Sequence, residues 1–272
     1  MPELPEVETT RRGIEPWLAG RRIGALVVRE WRLRWRVPRG LPARLAGARI
    51  RSVGRRAKYL LVGTDAGTLI LHLGMSGSLR ILDAGSPPLA HDHFDLVLDS
   101  GRCLRFNDPR RFGCLLFTAG DPARHKLLKG LAVEPLSDDF TGESLWRRAR
   151  GRSAAIKLFI LDSRNVAGVG NIYASEALWK AQLRPTKRAH ELTEATARRL
   201  AEAILEMLHN ALDNGDTSLR DFVNADGAED ENADYLWVYG REGEPCMRCK
   251  TMIRRAVHQG RATYYCPTCQ TP

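Results

Sequence analysis

The chain has 272 residues, a pI near 9.6 and 42 Lys plus Arg against 32 Asp plus Glu, a formal net charge of +10. With 43% hydrophobic and 27% charged residues it has the composition of a globular protein, which excludes a disordered, collagen-like or disulfide-dense chain. Its longest apolar run, Ile156 to Leu161 interrupted by Lys157, falls far short of the roughly 18 residues of a membrane span, and Met1-Pro2-Glu3-Leu4-Pro5-Glu6 has neither the basic start nor the apolar middle of a secretory signal. A cytoplasmic protein of about two domains, with no membrane partner, is expected.

In chain order, Leu4, Val7, Ile14, Trp17 and Leu18 are spaced for one face of a helix that Gly20 ends. From Arg22 to about Phe117 short β-branched and apolar runs follow: Ala25 to Val28, Tyr59 to Val62, Leu69 to Leu73, Phe94 to Leu98, Cys103 to Phe106 and Cys114 to Phe117. Turn signals at Gly47, Asp65-Ala66-Gly67, Gly74, Pro87-Pro88 and Ser100-Gly101 separate them, the pattern of an antiparallel sandwich or barrel. Leu131 to Asp139 reads as a linker. Helices are then expected near Leu145 to Arg150, Ala154 to Leu161, Ile172 to Lys180 and Glu194 to Leu212, the last with Leu200, Ile204, Leu208 and Leu212 at intervals of four. The interval from Asp162 to Asn171 is too long for a simple helix-turn-helix, and two successive turns would fill it.

Four of the six cysteines form Cys246-x2-Cys249 and Cys266-x2-Cys269, separated by sixteen residues. Two-residue gaps let each pair reach one tetrahedral metal, and four thiolates leave no open position, so a structural zinc is expected. In a segment of about 35 residues with little core, the metal would supply much of the folding free energy. Two disulfides are the alternative, disfavoured in a reducing compartment. Cys103 and Cys114 sit in apolar strands and read as buried hydrophobes.

Residues 1 to 60 carry 15 Lys plus Arg against 5 Asp plus Glu, and residues 241 to 272 carry 6 against 2, so both ends are basic. That asymmetry points to a polyanion; a solvated basic face is the bland alternative. Lys58 is the lone Lys among the first 60 residues. Removal of Met1 would expose Pro2 as a secondary amine with a pKa of about 8, a usable nucleophile near neutrality. Its attack on a sugar C1′ would give a cationic iminium that acidifies the adjacent C–H. Glu3 and Glu6 could flank it as acid or base, or simply favour a helix N-terminus by their charge.

Further motifs are Arg-Arg-Ala-Lys-Tyr at 55 to 59, His-Leu-Gly-Met-Ser-Gly at 72 to 77, His-Asp-His at 91 to 93, Asp-Pro-Arg-Arg-Phe-Gly at 108 to 113 and Gly-Val-Gly-Asn-Ile-Tyr-Ala-Ser-Glu at 168 to 176. Together with the start and the cysteines, they make the chain closely resemble the bacterial formamidopyrimidine-DNA glycosylases over nearly its whole length. Leu4, Arg110 and Phe112 favour the oxidised-purine branch over the endonuclease VIII branch. The resemblance implies an α+β fold: an N-terminal helix plus antiparallel β-sandwich domain (1–131), a helix-two-turn-helix domain (132–236) and a four-cysteine zinc finger on a β-hairpin (237–272).

It implies a monomeric base excision repair enzyme of the bacterial cytosol and nucleoid that removes 8-oxoguanine and formamidopyrimidines from duplex DNA and cuts the abasic site by β- and δ-elimination. Pro2 would be the Schiff-base nucleophile, Glu3 the proton donor that opens the sugar, Glu6 a supporting carboxylate, and Lys58 and Arg261 the donors for the two eliminations. His91, Arg110, Arg152 and Asn171 would contact DNA, and Met75, Arg110 and Phe112 would form the wedge that fills the duplex behind the extruded nucleotide. Cys246, Cys249, Cys266 and Cys269 would hold one structural Zn2+. Two readings stay open at single residues: Met75 and Phe112 as core residues, and Asn171 as a helix cap. The chain departs from the family at 228 to 235, Ala-Glu-Asp-Glu-Asn-Ala-Asp-Tyr, where five acids lie between Asp226 and Asp234 in a loop that in relatives helps hold the base. The competing function is a DNA-binding zinc-finger module without catalysis.

Overall fold

The computed structural model describes residues 2–215 and 236–271; Met1 and the acidic stretch 226–234 lie outside the described residues. These residues divide into two compact units, 2–129 and 130–213 with 236–271.

The first unit opens with α1 (Leu4–Leu18), which Pro5 can enter because the first turn needs no N–H. A reciprocal capping box ties Glu3 to Glu6, with the Glu3 amide donating to Glu6 Oε2 at 2.7 Å. Val7, Ile14 and Leu18 are buried on one face, each stabilising the fold by about 1.5–3 kcal/mol. The strands are β1 (Ile23–Val28), β2 (Ile50–Arg56), β3 (Tyr59–Thr64), β4 (Gly67–His72), β5 (Ser78–Asp83), β6 (Asp92–Leu98), β7 (Arg102–Asn107) and β8 (Cys114–Thr118), with the short α2 (Leu41–Leu45) between the first two. They pair antiparallel into two four-stranded sheets, β1-β6-β7-β5 and β2-β3-β4-β8. One continuous core includes Leu60, Val62 and Leu71 of one sheet with Leu79, Phe94 and Phe106 of the other, which bears out the expected sandwich. Cys103 and Cys114 are fully enclosed, as read from the sequence.

The second unit holds α3 (Gly142–Ala149), α4 (Ile156–Leu161), α5 (Asn171–Lys180) and α6 (Glu194–Gly215), followed by the hairpin β9 (Arg254–His258) and β10 (Arg261–Tyr265). The chain between α4 and α5 is closed by turn hydrogen bonds from Asn165 and Val166 to the Asp162 carbonyl. In the hairpin, Gln259 and Gly260 have φ of 47° and 73°, the paired positive values of a two-residue β-turn suited to strand twist. Among the described residues no helix is long and apolar enough to cross a membrane.

Candidate active site and nucleic-acid interface

The start of α1 and the β2–β3 hairpin hold Pro2, Glu3, Glu6 and Lys58, the residues expected from the sequence to be catalytic. Glu3 is 1% exposed, held by its box with Glu6. Lys58 sits in the two-residue turn between Arg56 and Tyr59. Ala57 beside it has a φ of 52°, a conformation that costs a non-glycine residue about 1–2 kcal/mol and is often retained at functional sites. Arg55 fastens this turn to α1: its Nε meets Glu8 Oε2 at 3.0 Å and its Nη1 donates to the Ala57 carbonyl at 2.8 Å. Burial works to raise the Glu8 carboxyl, but hydrogen bonds and charge from Arg11 and Arg55 together outweigh it and hold the group below its usual range. Pro2, Glu3 and Lys58 thus belong to neighbouring segments of one unit.

Opposite in character is the group of exposed tips. Met75 and Phe112 are 41% and 43% exposed, and the Arg110 guanidinium stacks over the Phe112 ring at 4.9 Å. The reading of Met75 and Phe112 as core residues therefore fails. Gly74 lies between the tips with a φ of 72°, and a Cβ there would meet the Gly113 nitrogen and the Phe112 carbonyl carbon at 2.5 Å, so only glycine permits this approach. Arg32, Arg110 and Arg111 line an open cleft of about 370 Å³, a surface fit for phosphate. His91 is exposed with a φ of 68°, whereas His93 is buried and its Nε2 meets the Asp108 carbonyl at 2.7 Å.

In the second unit Arg152 is exposed and Arg261 opens β10, also exposed. Asn171 is not the cap of α5: Gly170 occupies that place, and Asn171 Nδ2 donates to the Ala262 carbonyl at 2.9 Å. The side chain reaches across to the finger hairpin instead of back along its own helix. The four cysteine sulfurs lie within 4.8 Å of one another, with Cys246–Cys269 at 3.9 Å and Cys249–Cys266 at 3.4 Å. A tetrahedron of sulfurs about 2.3 Å from zinc has edges near 3.8 Å, so the residues fit one structural zinc. Trp179 Nε1 donates to Cys246 Sγ at 3.4 Å, the outer hydrogen bond that steadies a ligand.

Three model descriptions match the chain in order: the formamidopyrimidine-DNA glycosylase N-terminal domain over residues 1–115, its H2TH domain over 131–223, and a zinc finger found in FPG and IleRS over 243–272. The chain belongs to the formamidopyrimidine-DNA glycosylase family. It is 56% identical to the formamidopyrimidine-DNA glycosylase of Methylococcus capsulatus and 53% identical to that of Pseudomonas aeruginosa, covering 99% of this chain and all of each relative. Among solved structures, the Thermus thermophilus protein shares 40% identity at a TM-score of 0.85 over the whole of both chains. The Lactococcus lactis glycosylase in complex with Fapy-dG-containing DNA shares 32% identity at a TM-score of 0.89, covering 99% of this chain and all of the other.

Some positioning residues escaped the sequence reading. Lys157, noted there only as the interruption of an apolar run, is 1% exposed and donates to the Ala262 carbonyl and Thr263 Oγ1, both at 2.9 Å. Glu176 accepts the amides of Trp237, Val238 and Tyr239 at 2.7, 3.0 and 2.7 Å. A lysine inside an otherwise apolar run was the one available sign of the first; the partners of Glu176 lie about 60 residues away and give no local sign.

Proposed function

We propose that this chain is a bifunctional DNA glycosylase and abasic-site lyase that removes oxidised purines, 8-oxoguanine and formamidopyrimidines, from double-stranded DNA. Family membership over the full chain supports the reaction class. The observation that carries the residue assignment is the buried Glu3, boxed with Glu6, immediately after Pro2 at the start of α1.

In this reading the Pro2 amine attacks C1′ of the damaged nucleotide, and the base departs with the electron pair of the glycosidic bond and gains a proton. Glu3 protonates the ring oxygen, so the sugar opens to an iminium with Pro2, and Glu6 fixes the Glu3 backbone for that transfer. The iminium draws electrons from C2′, whose proton is lost as the 3′ phosphate leaves with a proton from Lys58. A second elimination expels the 5′-side phosphate, with Arg261 as its donor. His91, Arg110, Arg152 and Asn171 contact the DNA, while Met75, Arg110 and Phe112 fill the stack behind the extruded nucleotide. The exposure of Met75 and Phe112 supports that wedge. Cys246, Cys249, Cys266 and Cys269 keep the finger folded around zinc and take no part in bond breaking. Segments 1–131, 132–236 and 237–272 serve as catalytic, helix-two-turn-helix and finger parts of a monomer working in the cytosol and nucleoid.

Borohydride is expected to trap a covalent adduct between the protein and an 8-oxoguanine duplex, and cleavage without borohydride to leave phosphates on both sides of a one-nucleotide gap. Pro2→Gly is expected to lower trapping at least tenfold; undiminished trapping would refute the terminal-amine nucleophile.

A further inference from the structure

The two turns that carry the exposed tips are separated by some 30 residues of sequence, and a single buried carboxylate joins them. Asp108 is 0% exposed. Its Oδ1 accepts the Ser76 hydroxyl at 2.6 Å and the Arg110 amide at 3.3 Å, and its Oδ2 accepts the Gly113 amide at 2.8 Å. Ser76 follows Met75 directly, while Arg110 and Gly113 bracket Phe112. The Asp108 backbone adds further ties: its N–H donates to the His91 carbonyl at 3.1 Å, and its carbonyl accepts the Arg111 amide at 3.1 Å and faces His93 Nε2 at 2.7 Å. His91 and Arg111, both held in the left-handed region at φ 68° and 55°, are therefore fixed by the same residue.

Among the described residues, the hydrogen bonds to this carboxylate come from two backbone amides and a hydroxyl of these two turns. Burying a carboxylate costs desolvation, yet with its several acceptor sites it is the side chain best able to gather donors from two turns at one point. A wedge entering a base stack has to keep its shape while neighbouring bases press on it, and ordering loose tips at that moment would weaken insertion.

We propose that Asp108 is a positioning residue for base extrusion: its carboxylate locks the Met75 turn and the Arg110–Phe112 turn into one rigid wedge. The inference rests on the reading of Met75, Arg110 and Phe112 as the wedge. Asp108 itself touches neither the substrate nor the reacting atoms.

The test uses the full-length protein loaded with zinc and a duplex carrying 8-oxoguanine opposite cytosine, with 2-aminopurine beside the lesion. Asp108→Asn keeps the shape but turns an N–H donor toward one of the protein's own donors. Ser76→Ala removes one strut and leaves the buried acid in place, so it remains informative where Asp108→Asn fails to fold. Single-turnover excision is expected to fall at least tenfold in Asp108→Asn and about fivefold in Ser76→Ala, with a matching loss of the rise in 2-aminopurine fluorescence. Ser76→Thr, which retains the hydroxyl, is expected to restore both. Borohydride trapping on a single-stranded oligonucleotide with a preformed abasic site, where no stack has to be opened, is expected to stay within twofold of the parent protein. Unchanged excision and fluorescence in Ser76→Ala and in a folded Asp108→Asn would overturn the proposal. So would an equal fall in excision and single-strand trapping, which marks general damage to the site. A parent protein that neither excises nor traps would instead overturn the glycosylase reading.

Discussion

His72 closes β4 one residue before the Met75 turn begins, and its Nδ1 accepts the Gly74 amide at 2.9 Å. Burial, aided by the charges of Lys58 and Arg34, pushes its pKa down to about 4. In the unfolded chain it titrates near 6.5, so between these values the unfolded state binds the additional proton. Stability is therefore full above about 6.5 and falls as the pH drops toward 4, by up to ~3 kcal/mol. Protonation at Nδ1 would also turn an acceptor into a donor facing an amide. In His72→Asn, which keeps an acceptor and does not titrate, the loss of thermal stability between pH 7 and 4 is expected to shrink; a denaturation series over that range checks it. This residue belongs to a motif legible in the sequence, yet its neutrality comes from enclosure that no local pattern records.

At the scale of elements, α5 addresses the finger segment from three positions: Asn171 to Ala262, Glu176 to the amides of residues 237–239, and Trp179 to Cys246. Glu176 stands out because burial pushes its carboxyl up while the three amides pull it down. Glu176→Ala would strand the buried Val238 amide and the part-buried amides of Trp237 and Tyr239, and with about 1–3 kcal/mol for a buried group left unsatisfied and less where water can reach, a loss of about 2–3 kcal/mol is expected in chemical denaturation of the zinc-loaded protein. Glu176→Gln keeps one good acceptor and is expected to lose less. Helices and strands with apolar periodicity were legible: α1, α3, α4, α5, α6 and six of the sandwich strands fall where the sequence places them. The strands β2 and β5 and the short α2 were not. β2, Ile50–Arg56, buries only Ile50 and Val53 among arginines and glycine, and α2 has five residues, too few for a period to show. Their formation depends on partners, β3 for β2 and β7 for β5, and pairing at a distance leaves little trace in local composition. The site divides the same way. A chain-terminal motif marked Pro2, its standing as the lone Lys among arginines marked Lys58, and glycine-flanked motifs marked Met75 and Phe112, whereas the acids that hold such segments in place, Asp108 and Glu176, are defined by the donors that converge on them.

For the whole molecule the charge distribution sets how binding responds to salt. The excess of +10 lies within residues 1–60, with a second basic focus in residues 241–272. A slope of log affinity against log salt of about −4 to −6 is expected for lesion duplex, each phosphate contact adding about −0.9. Arg152→Ala is expected to flatten the slope by about one contact without changing which base is excised, as measured by titration at several salt concentrations. Removing zinc with a chelator is expected to abolish DNA binding while the sandwich unit, whose core contains no cysteine ligand, keeps its own cooperative unfolding transition. Unchanged affinity after complete removal would contradict the finger's role. The bond from Trp179 to Cys246 has an optical side as well. The indole donates to a metal-binding sulfur at 3.4 Å and lies 4.9 Å from the ring of Trp237, with the Arg248 guanidinium 4.4 Å from its own ring. A chromophore hydrogen-bonded to a ligand atom senses that ligand's electronic state, so the tryptophan emission of the purified protein is expected to change as zinc is removed, without any added dye.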